Sequence, residues 1–467
     1  MNVILKKWQM MLLVSMIIIS LSVSLILLVD FNKPSNYNLL FILPLEFSIL
    51  LLMFAKLFRG FLNNLGVTMI LGLLFCRLVL SPFFMFLGGY FDVITLNVNV
   101  YTPLSILLIM YETLAIMISM FLLMNSKSFD EQSWNNNDSF FLNKRYIKAL
   151  FLLTIIQLVI FIYTPELLEG YRSVFEIGDE LFTNLEQAYI INRYGTSFWR
   201  KFSLVTGSYL MNILRLLLPS VIIIWINRNK KNKLRLLLSY VIALTPFFVI
   251  DGAIARSIIY SFILFLVIRY LYPRKGTKQI AKILVVSSII VIVYWLIRFN
   301  TSNHSDIYKY FSLKFSAYFS GVNIVTGSFN LSRDLEIRLH YFLYDFLKSV
   351  PFGNTLFSLE TGDIQSYFNH INGTTGQIPT TIGSGYYYFG FLLGPIYSIV
   401  FTIMAFKMGQ QVNKSSNIIS KTRYLFLAIT FPMGIVMYNI PITLLRLFTI
   451  ALPMYLIEIY AYGKLEK

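Results

Sequence analysis

Apolar stretches long enough to cross a lipid bilayer recur along the whole chain, and they constrain the fold more than any other feature. A membrane-spanning helix needs roughly 20 predominantly apolar residues. Hydrophobic residues fill 57% of the 467 positions and charged residues only 13%, against about 25% charged residues in soluble domains. The sequence therefore predicts an all-α, polytopic integral membrane protein with a single membrane domain over residues 1–467.

The apolar pattern predicts about twelve transmembrane helices. The first follows Lys6 and Lys7, and it is longer than the roughly 7–15-residue apolar core of a signal peptide. The predicted spans are residues 8–29, 38–54, 64–87, 103–124, 149–164, 204–226, 236–250, 257–271, 283–297, 384–406, 424–440 and 442–460.

Basic residues concentrate in alternate connections, such as "NRNKKNKLR" and "YPRKGTKQIAK". The positive-inside rule assigns these connections and both termini to the cytoplasm. On that topology the cytoplasmic side holds 24 of the 39 Lys and Arg residues, counting Arg269 at the inner end of its span, and the outer side holds 12. The net charge of +17 is thus a signal of topology, and nucleic acid is not an expected partner.

Two extracytoplasmic loops are much longer than the other outer connections: loop A, residues 165–203, and loop B, residues 298–383. Long loops in compact proteins are usually functional or carry structure of their own. All three histidines fall in loop B. Residues 332–350 have a helical pattern, which predicts a helix on the outer membrane surface. Its predicted apolar stripe consists of Leu335, Leu339, Phe342, Leu343 and Phe346.

The stretch "DGAIARS" places Asp251 and Arg256 in a short outer hairpin between two predicted spans. An arginine at this depth can simply extend to lipid phosphates, with Asp251 as its partner. Alternatively, the short connection holds Arg256 at a fixed depth, where its planar guanidinium can bind a lipid-linked diphosphate. This stretch alone gives the two interpretations equal support.

Apart from Arg269, six charged residues fall within predicted spans. A charge at mid-bilayer is costly, so such residues normally pair or line a polar cavity. We expect the acids to pair within the helix bundle, and an arginine-lined cavity is the functional alternative. The six residues are Arg77, Arg215, Arg446, Glu46, Glu112 and Glu458.

The segment "PTTIGSGYYYFGFLLGP" leads out of loop B and brings Tyr386, Tyr387 and Tyr388 to the outer interface. An aromatic belt explains tyrosines at this depth without any ligand. The sequence contains no zinc pattern, phosphate-binding loop, dinucleotide fingerprint or nucleophile elbow. The single cysteine excludes an intrachain disulfide. The spacing of the histidines matches no ligand pattern, so we expect no metal site and no cofactor.

The chain resembles the bacterial oligosaccharide repeat-unit polymerases of the Wzy type, which build O-antigens and capsules. Two motif-like features carry the resemblance: an arginine just before a span, in "GAIARSIIYSF", and the segment "IGSGYYYFGFLLGPIY" after the large loop. The dozen predicted spans and two enlarged outer loops agree with it. Where relatives often carry an acid, this chain has Gly383, Ser384 and Gly385.

The resemblance implies a glycosyltransferase with a GT-C-like architecture in the bacterial cytoplasmic membrane. Its substrates would be two undecaprenyl-diphosphate-linked oligosaccharides within the membrane lipid, and a flippase and a chain-length regulator would be partner proteins. Arginines would clamp the leaving diphosphate, a carboxylate or histidine would accept a proton, and tyrosines would stack on sugars. The arginines are Arg256 first, then Arg298, Arg333 and Arg338; the candidate bases are Asp251, His340 and Glu336; the tyrosines are Tyr386, Tyr387 and Tyr388.

Two alternatives stay open at this point. A polysaccharide ligase would use the same donor and a different acceptor. A lipid-linked oligosaccharide flippase, or another transporter, also has about a dozen spans, but usually has short, even loops, whereas loop B has 86 residues.

Overall fold

The computed structural model describes most of the chain. The described residues are 7–59, 63–90, 100–125, 143–168, 197–228, 232–248, 254–272, 306–334, 338–351, 353, 364–374, 376–415 and 417–463. Within these ranges all regular secondary structure is helical and no strand occurs. The predicted all-α class is therefore confirmed.

Eighteen α-helices occupy the described residues. They are α1 Lys7–Val29, α2 Ile42–Met53, α3 Leu65–Phe75, α4 Ser81–Leu87, α5 Thr102–Asn125, α6 Lys144–Tyr163, α7 Phe198–Asn227, α8 Lys233–Ala243, α9 Ile254–Leu271, α10 Ile307–Tyr318, α11 Val322–Asp334, α12 Arg338–Ser349, α13 Ile364–Asn372, α14 Thr381–Leu393, α15 Ile396–Lys414, α16 Ile418–Val436, α17 Ile440–Arg446 and α18 Leu452–Tyr462. Single π-helical turns join α3 to α4 and α17 to α18.

Contacts between residues group the chain into two compact units. The first unit contains residues 1–133, 305–410 and 427–448, and the second contains residues 134–304, 411–426 and 449–467. The single membrane domain predicted for residues 1–467 stays a prediction. Each unit is built from segments that are distant in the sequence.

Among the described residues, seven helical segments are long and apolar enough to cross a membrane, which makes the protein a polytopic membrane protein. They coincide with seven of the twelve predicted spans, and the total of twelve stays a prediction. The predicted span 283–297 lies outside the described residues. The seven segments are Gln9–Val29, Ser35–Met53, Leu65–Leu87, Thr102–Asn125, Lys144–Tyr163, Phe198–Asn227 and Ile440–Tyr462.

The predicted span 384–406 is broken into two helices, α14 and α15, which meet at an angle of 107°. Gly390 has a φ of 78°, which ends the regular helix, and Pro395 lacks the N–H that a continuing helix needs. Gly385 packs directly against the carbonyl of Gly394. The turn is possible because these glycines have no side chain at the points of closest approach.

The predicted span 236–250 also differs from one straight helix. Helix α8 has 11 residues, or about 16 Å at 1.5 Å per residue, which is about half of the hydrocarbon thickness. A short 3₁₀ helix, Thr245–Phe248, follows it. This part of the second unit packs against α7 and α9.

A buried ion pair joins two candidate spans of the first unit. Arg77, on the π-helical turn after α3, donates from Nη1 to Oε2 of Glu112 on α5 over 2.6 Å, and both side chains are almost fully buried. Ser398 on α15 donates to the other oxygen of Glu112. Arg77 Nε donates to the carbonyl of Ser320 over 3.2 Å. These bonds compensate two charges that would otherwise be costly in lipid.

The second unit has a comparable pair. Arg423 on α16 lies 2.9 Å from Glu458 on α18, and Ser420 donates to the same carboxylate. The expected pairing of intramembrane acids is therefore confirmed for Glu112 and Glu458. Glu46 on α2 differs, because its buried Oε2 has no hydrogen-bond partner among the described residues.

Much of loop B is packed structure belonging to the first unit. It contains α10 to α13, and α11 lies against α5, α13 and α14 with Val322, Ile324 and Val325 almost fully buried. The helix predicted over residues 332–350 falls partly on α11 and partly on α12, and residues 335–337 between them lie outside the described part. On α12 the predicted apolar residues Leu343 and Phe346 are exposed, whereas Phe342 packs against a buried cluster.

Candidate functional site

Arg256, the first of the predicted site residues, lies in the first turn of α9 in the second unit. Its side chain is partly buried, and Nη1 donates to Oδ1 of Asn212 on α7 over 3.1 Å. Its predicted partner Asp251 lies outside the described residues. The contact with Asn212 holds one side of the guanidinium, so Arg256 is more than a freely extended surface cation.

A second arginine, Arg215, reaches in the opposite direction between the same two helices. It lies three residues after Asn212 on α7, and its Nη2 donates to Ser257 on α9 over 2.9 Å and to the carbonyl of Pro246 over 2.8 Å. The guanidinium carbon is also 5.7 Å from the ring centroid of Tyr260. Arg215 is 7% exposed, so it is held rigidly.

Arg215 and Arg256 thus form what we call the arginine pair. Asn212 and Arg215 lie one turn apart on α7, and Arg256 and Ser257 are adjacent on α9. Arg256 donates to Asn212, and Arg215 donates to Ser257. The acceptors in these three bonds are Asn212, Ser257 and the carbonyl of Pro246, and the bonds orient the two guanidinium groups. Arginine keeps its proton at any relevant pH, so the pair places two protonated guanidinium groups between α7 and α9. The sequence identified Arg215 only as a charged residue within a predicted span.

The predicted residues of loop B belong to the first unit. Arg333, in the last turn of α11, and His340, on α12, are both exposed. Arg338 begins α12, and its side chain is not among those described. Glu336 and Arg298 lie outside the described residues. The structure therefore leaves these site assignments as predictions, and Arg333 and His340 are accessible as the prediction requires.

The three consecutive tyrosines have different surroundings. Tyr386 is partly exposed and packs on Phe329, with 4.3 Å between ring centroids. Tyr387 is fully buried and Tyr388 is 4% exposed. Both belong to a cluster with Leu331, Ile364 and Ile440, against which several partly buried aromatic side chains pack. Of the three, Tyr386 keeps the surface that stacking on a sugar requires.

Asp345 on α12 provides the hydrogen-bond acceptor for the buried hydroxyl of Tyr388. The Tyr388 hydroxyl donates to Oδ2 of Asp345, and the backbone N–H of Ile364 donates to Oδ1 over 3.2 Å. Asp345 is 2% exposed. It therefore ties α12 and the start of α13 to α14. Sequence reasoning placed no role on Asp345, because 43 residues separate it from Tyr388 and no local pattern joins them.

Tyr341, one turn before Asp345 on α12, extends the cluster towards α13. Its ring lies 5.5 Å from that of Tyr367 and 6.0 Å from that of Tyr387, measured between centroids. Burial, with the nearby Tyr367 hydroxyl, raises the pKa of Tyr341. Tyr341 therefore stays protonated and able to donate a hydrogen bond.

A metal site requires several ligating side chains close together. Among the described residues, no group of three or more His, Cys, Asp and Glu side chains could hold a metal ion. The expected independence from metal stays a prediction, because Asp251 and Glu336 lie outside the described part. Within it, the arginines are the groups suited to an anionic substrate.

No protein-family model, curated protein or solved structure matches the chain. The fold defines the class of protein: it is an all-helical polytopic membrane protein with an arginine pair between two of its described helices.

Proposed function

We propose that the protein polymerises the lipid-linked oligosaccharide repeat units of a surface polysaccharide, either a capsule or an O-antigen. It transfers the growing glycan from undecaprenyl diphosphate to an incoming lipid-linked repeat unit. The arginine pair of Arg215 and Arg256 carries this proposal, since it offers two oriented guanidinium groups to a diphosphate. The motif resemblance around Arg256 and Tyr386–Tyr388 supports it.

The chemistry needs no nucleotide, because the donor already carries its leaving group. A hydroxyl of the acceptor sugar attacks the anomeric carbon, the bond from that carbon to the diphosphate oxygen breaks, and undecaprenyl diphosphate leaves with both electrons. Negative charge grows on the diphosphate as the bond breaks. Fixed guanidinium groups stabilise this charge most in the transition state, where stabilisation raises the rate.

The hydroxyl proton passes to a base. Asp251, Glu336 and His340 are the candidates, and His340 is the one whose exposed side chain the structure describes. As the resemblance implies, Arg298, Arg333 and Arg338 bind phosphate or sugar groups in this proposal, and Tyr386 stacks on a sugar ring. Tyr387 and Tyr388 support that surface from the buried side.

The proposed setting is the bacterial cytoplasmic membrane, with both termini in the cytoplasm and loops A and B outside. A flippase supplies the lipid-linked units and a chain-length regulator limits the polymer. No metal or other cofactor takes part. The distribution of Lys and Arg supports this orientation.

Deletion of the gene, followed by gel analysis of the surface polysaccharide, tests the proposal against its alternatives. Loss of a polymerase leaves single repeat units on the cell. Loss of a ligase leaves polymer on the lipid carrier, and loss of a flippase leaves repeat units inside the cell. Either of the last two results overturns the proposal.

A reconstituted assay provides the biochemical test. Purified protein in liposomes with the lipid-linked repeat unit as its sole substrate is expected to produce a ladder of polymers and to release undecaprenyl diphosphate. Arg145→Ala is a suitable control variant, because Arg145 is exposed at the start of α6. No polymer from active wild-type preparations would contradict the proposal.

A further inference from the structure

Arg446 is an intramembrane cation with no role in the arginine pair. It is the last residue of α17 in the first unit and belongs to the candidate span Ile440–Tyr462. Its side chain is partly buried. Ionisable residues inside a membrane span are functional candidates by default, because lipid penalises them.

The contacts of Arg446 differ from those of two buried arginines, Arg77 and Arg423. Arg77 and Arg423 form ion pairs with glutamates. The Arg446 guanidinium carbon lies 3.9 Å from the ring centroid of Tyr438, but within the described residues it makes no hydrogen bond and no ion pair. A guanidinium stacked on a ring leaves the N–H groups along its edge available to acceptors.

Tyr438 is a fixed platform for this guanidinium. Its carbonyl accepts a hydrogen bond from Oγ1 of Thr381 over 3.1 Å. The next residue, Asn439, caps α17 by accepting the N–H of Ile442 over 2.9 Å. The Tyr438 ring is 6% exposed, and its hydroxyl is buried with no hydrogen-bond partner in the described part of the chain. The stacked arginine is therefore held in place before any ligand binds.

The position of this pair fits a lipid phosphate. The Arg446 side chain extends from within the span towards its beginning, where Tyr438 lies, and long basic side chains reach the headgroup level in this manner. In the predicted topology this end of the span faces outwards. Guanidinium groups bind phosphate oxygens through two parallel hydrogen bonds.

We propose that Arg446, positioned by Tyr438, binds the diphosphate of the acceptor, the second polyprenyl-diphosphate substrate. This inference rests on the proposed function, which uses two lipid-linked diphosphates in each cycle. The donor's diphosphate gains charge as its bond breaks, which suits the two guanidinium groups of the arginine pair. The acceptor's diphosphate does not react, so a single stacked arginine suffices to bind it.

Direct binding tests the site without relying on activity. Farnesyl diphosphate, a short polyprenyl diphosphate, is titrated into purified full-length protein by calorimetry, in an Arg256→Ala background that weakens the donor site. We expect Arg446→Gln to weaken binding at least tenfold, and Arg446→Lys and Tyr438→Leu about threefold each. Arg145→Gln serves as the matched control and is expected to stay within twofold. If purified Arg446→Gln is not monodisperse, the affinity of Arg446→Lys for farnesyl diphosphate decides the test instead.

The ligand controls separate the possible sources of phosphate. Undiminished binding of farnesyl diphosphate by Arg446→Gln overturns the proposal. Equal competition by phosphatidylglycerol identifies a general headgroup site, and equal competition by inorganic diphosphate identifies a site that ignores the lipid; either result overturns the polyprenyl assignment.

Kinetics then distinguish this inference from the proposed function. In the reconstituted polymerisation, Arg446→Gln is expected to raise the KM for the acceptor about tenfold and to leave kcat within twofold. A fall in kcat with unchanged KM contradicts the acceptor assignment. If wild-type protein polymerises nothing, the proposed function fails, whereas the titrations still report whether Arg446 binds the diphosphate.

Discussion

The Tyr388 hydroxyl donates a hydrogen bond to Oδ2 of Asp345, and both side chains are buried in the first unit. This bond joins a helix of loop B, α12, to α14, the helix that follows the loop. The tyrosine motif that suggested a sugar-binding surface therefore also anchors the large loop. Its contribution to stability and to activity can be measured separately.

The first prediction concerns this anchor. Tyr388→Phe removes the donor and leaves a buried carboxylate oxygen without that bond, which costs about 1–3 kcal/mol. We expect a lower midpoint of thermal unfolding for the detergent-solubilised protein. Tyr386→Phe is the matched control, because Tyr386 is partly exposed, and we expect a change within about 0.5 kcal/mol. Equal midpoints for the two variants would show that the Tyr388 bond stabilises nothing.

The second prediction concerns Arg256. Arg256→Ala is expected to lower the polymerisation rate about a hundredfold, or about 3 kcal/mol, by analogy with the loss of one oxyanion donor. Arg256→Lys keeps the charge but loses the planar geometry, so it should also be clearly impaired. Polymer length and yield in a complemented deletion strain provide the readout, with protein abundance checked by immunoblot. Normal polymer from a well-expressed Arg256→Ala variant would remove this residue from the site.

The third prediction concerns the turn between α14 and α15. Gly385→Ala places a methyl group onto the carbonyl of Gly394, and such overpacking typically costs about 1–3 kcal/mol. Gly72→Ala is the control, because a methyl group there meets no atom within 4 Å and alanine favours helix by roughly 0.5–1 kcal/mol. Thermal unfolding should therefore shift in opposite directions. An unchanged or higher unfolding midpoint for Gly385→Ala would contradict the close approach at Gly385.

The fourth prediction tests the orientation in the membrane. In a Cys76→Ala background, Ser366→Cys on α13 and Lys414→Cys at the end of α15 both lie at exposed positions. A membrane-impermeant maleimide should label Ser366→Cys in intact cells, and Lys414→Cys only after permeabilisation. Labelling of Lys414→Cys in intact cells would reverse the proposed topology.

The fifth prediction concerns metal. Because guanidinium groups are proposed to stabilise the leaving diphosphate, polymerisation by purified protein should be unchanged in excess EDTA. A rate that EDTA abolishes and magnesium restores would assign the role to acidic residues such as Asp251 or Glu336.

The sequence predicts the seven apolar segments found among the described residues, because length and composition suffice to place a span. It predicts one straight helix over residues 384–406, since Gly390 and Gly394 lie within an apolar run. Hydropathy gives no information about the direction of the helix axis. The angle of 107° depends on how closely two backbone segments approach. That approach is set by tertiary packing.

The site is predictable to a smaller extent. The position of Arg256 before a span gave a reason to select it, whereas Arg215 and Asp345 gain their roles only from partners on other helices. The apolar stripe predicted on α12 has two different environments, because Leu343 and Phe346 are exposed whereas Phe342 packs against a buried cluster. Its predicted place on the outer membrane surface stays a prediction.

The buried pair of Arg77 and Glu112 has a consequence for how the chain enters the membrane. Glu112 follows Arg77 by 35 residues, so the segment with Arg77 leaves the ribosome first. An unpaired charge at mid-bilayer costs at least about 2.5–3.5 kcal/mol during insertion. We therefore expect the segments Leu65–Leu87 and Thr102–Asn125 to leave the translocon together as a helical hairpin. Release of Leu65–Leu87 into lipid is then expected to wait until the helix that carries Glu112 has been synthesised.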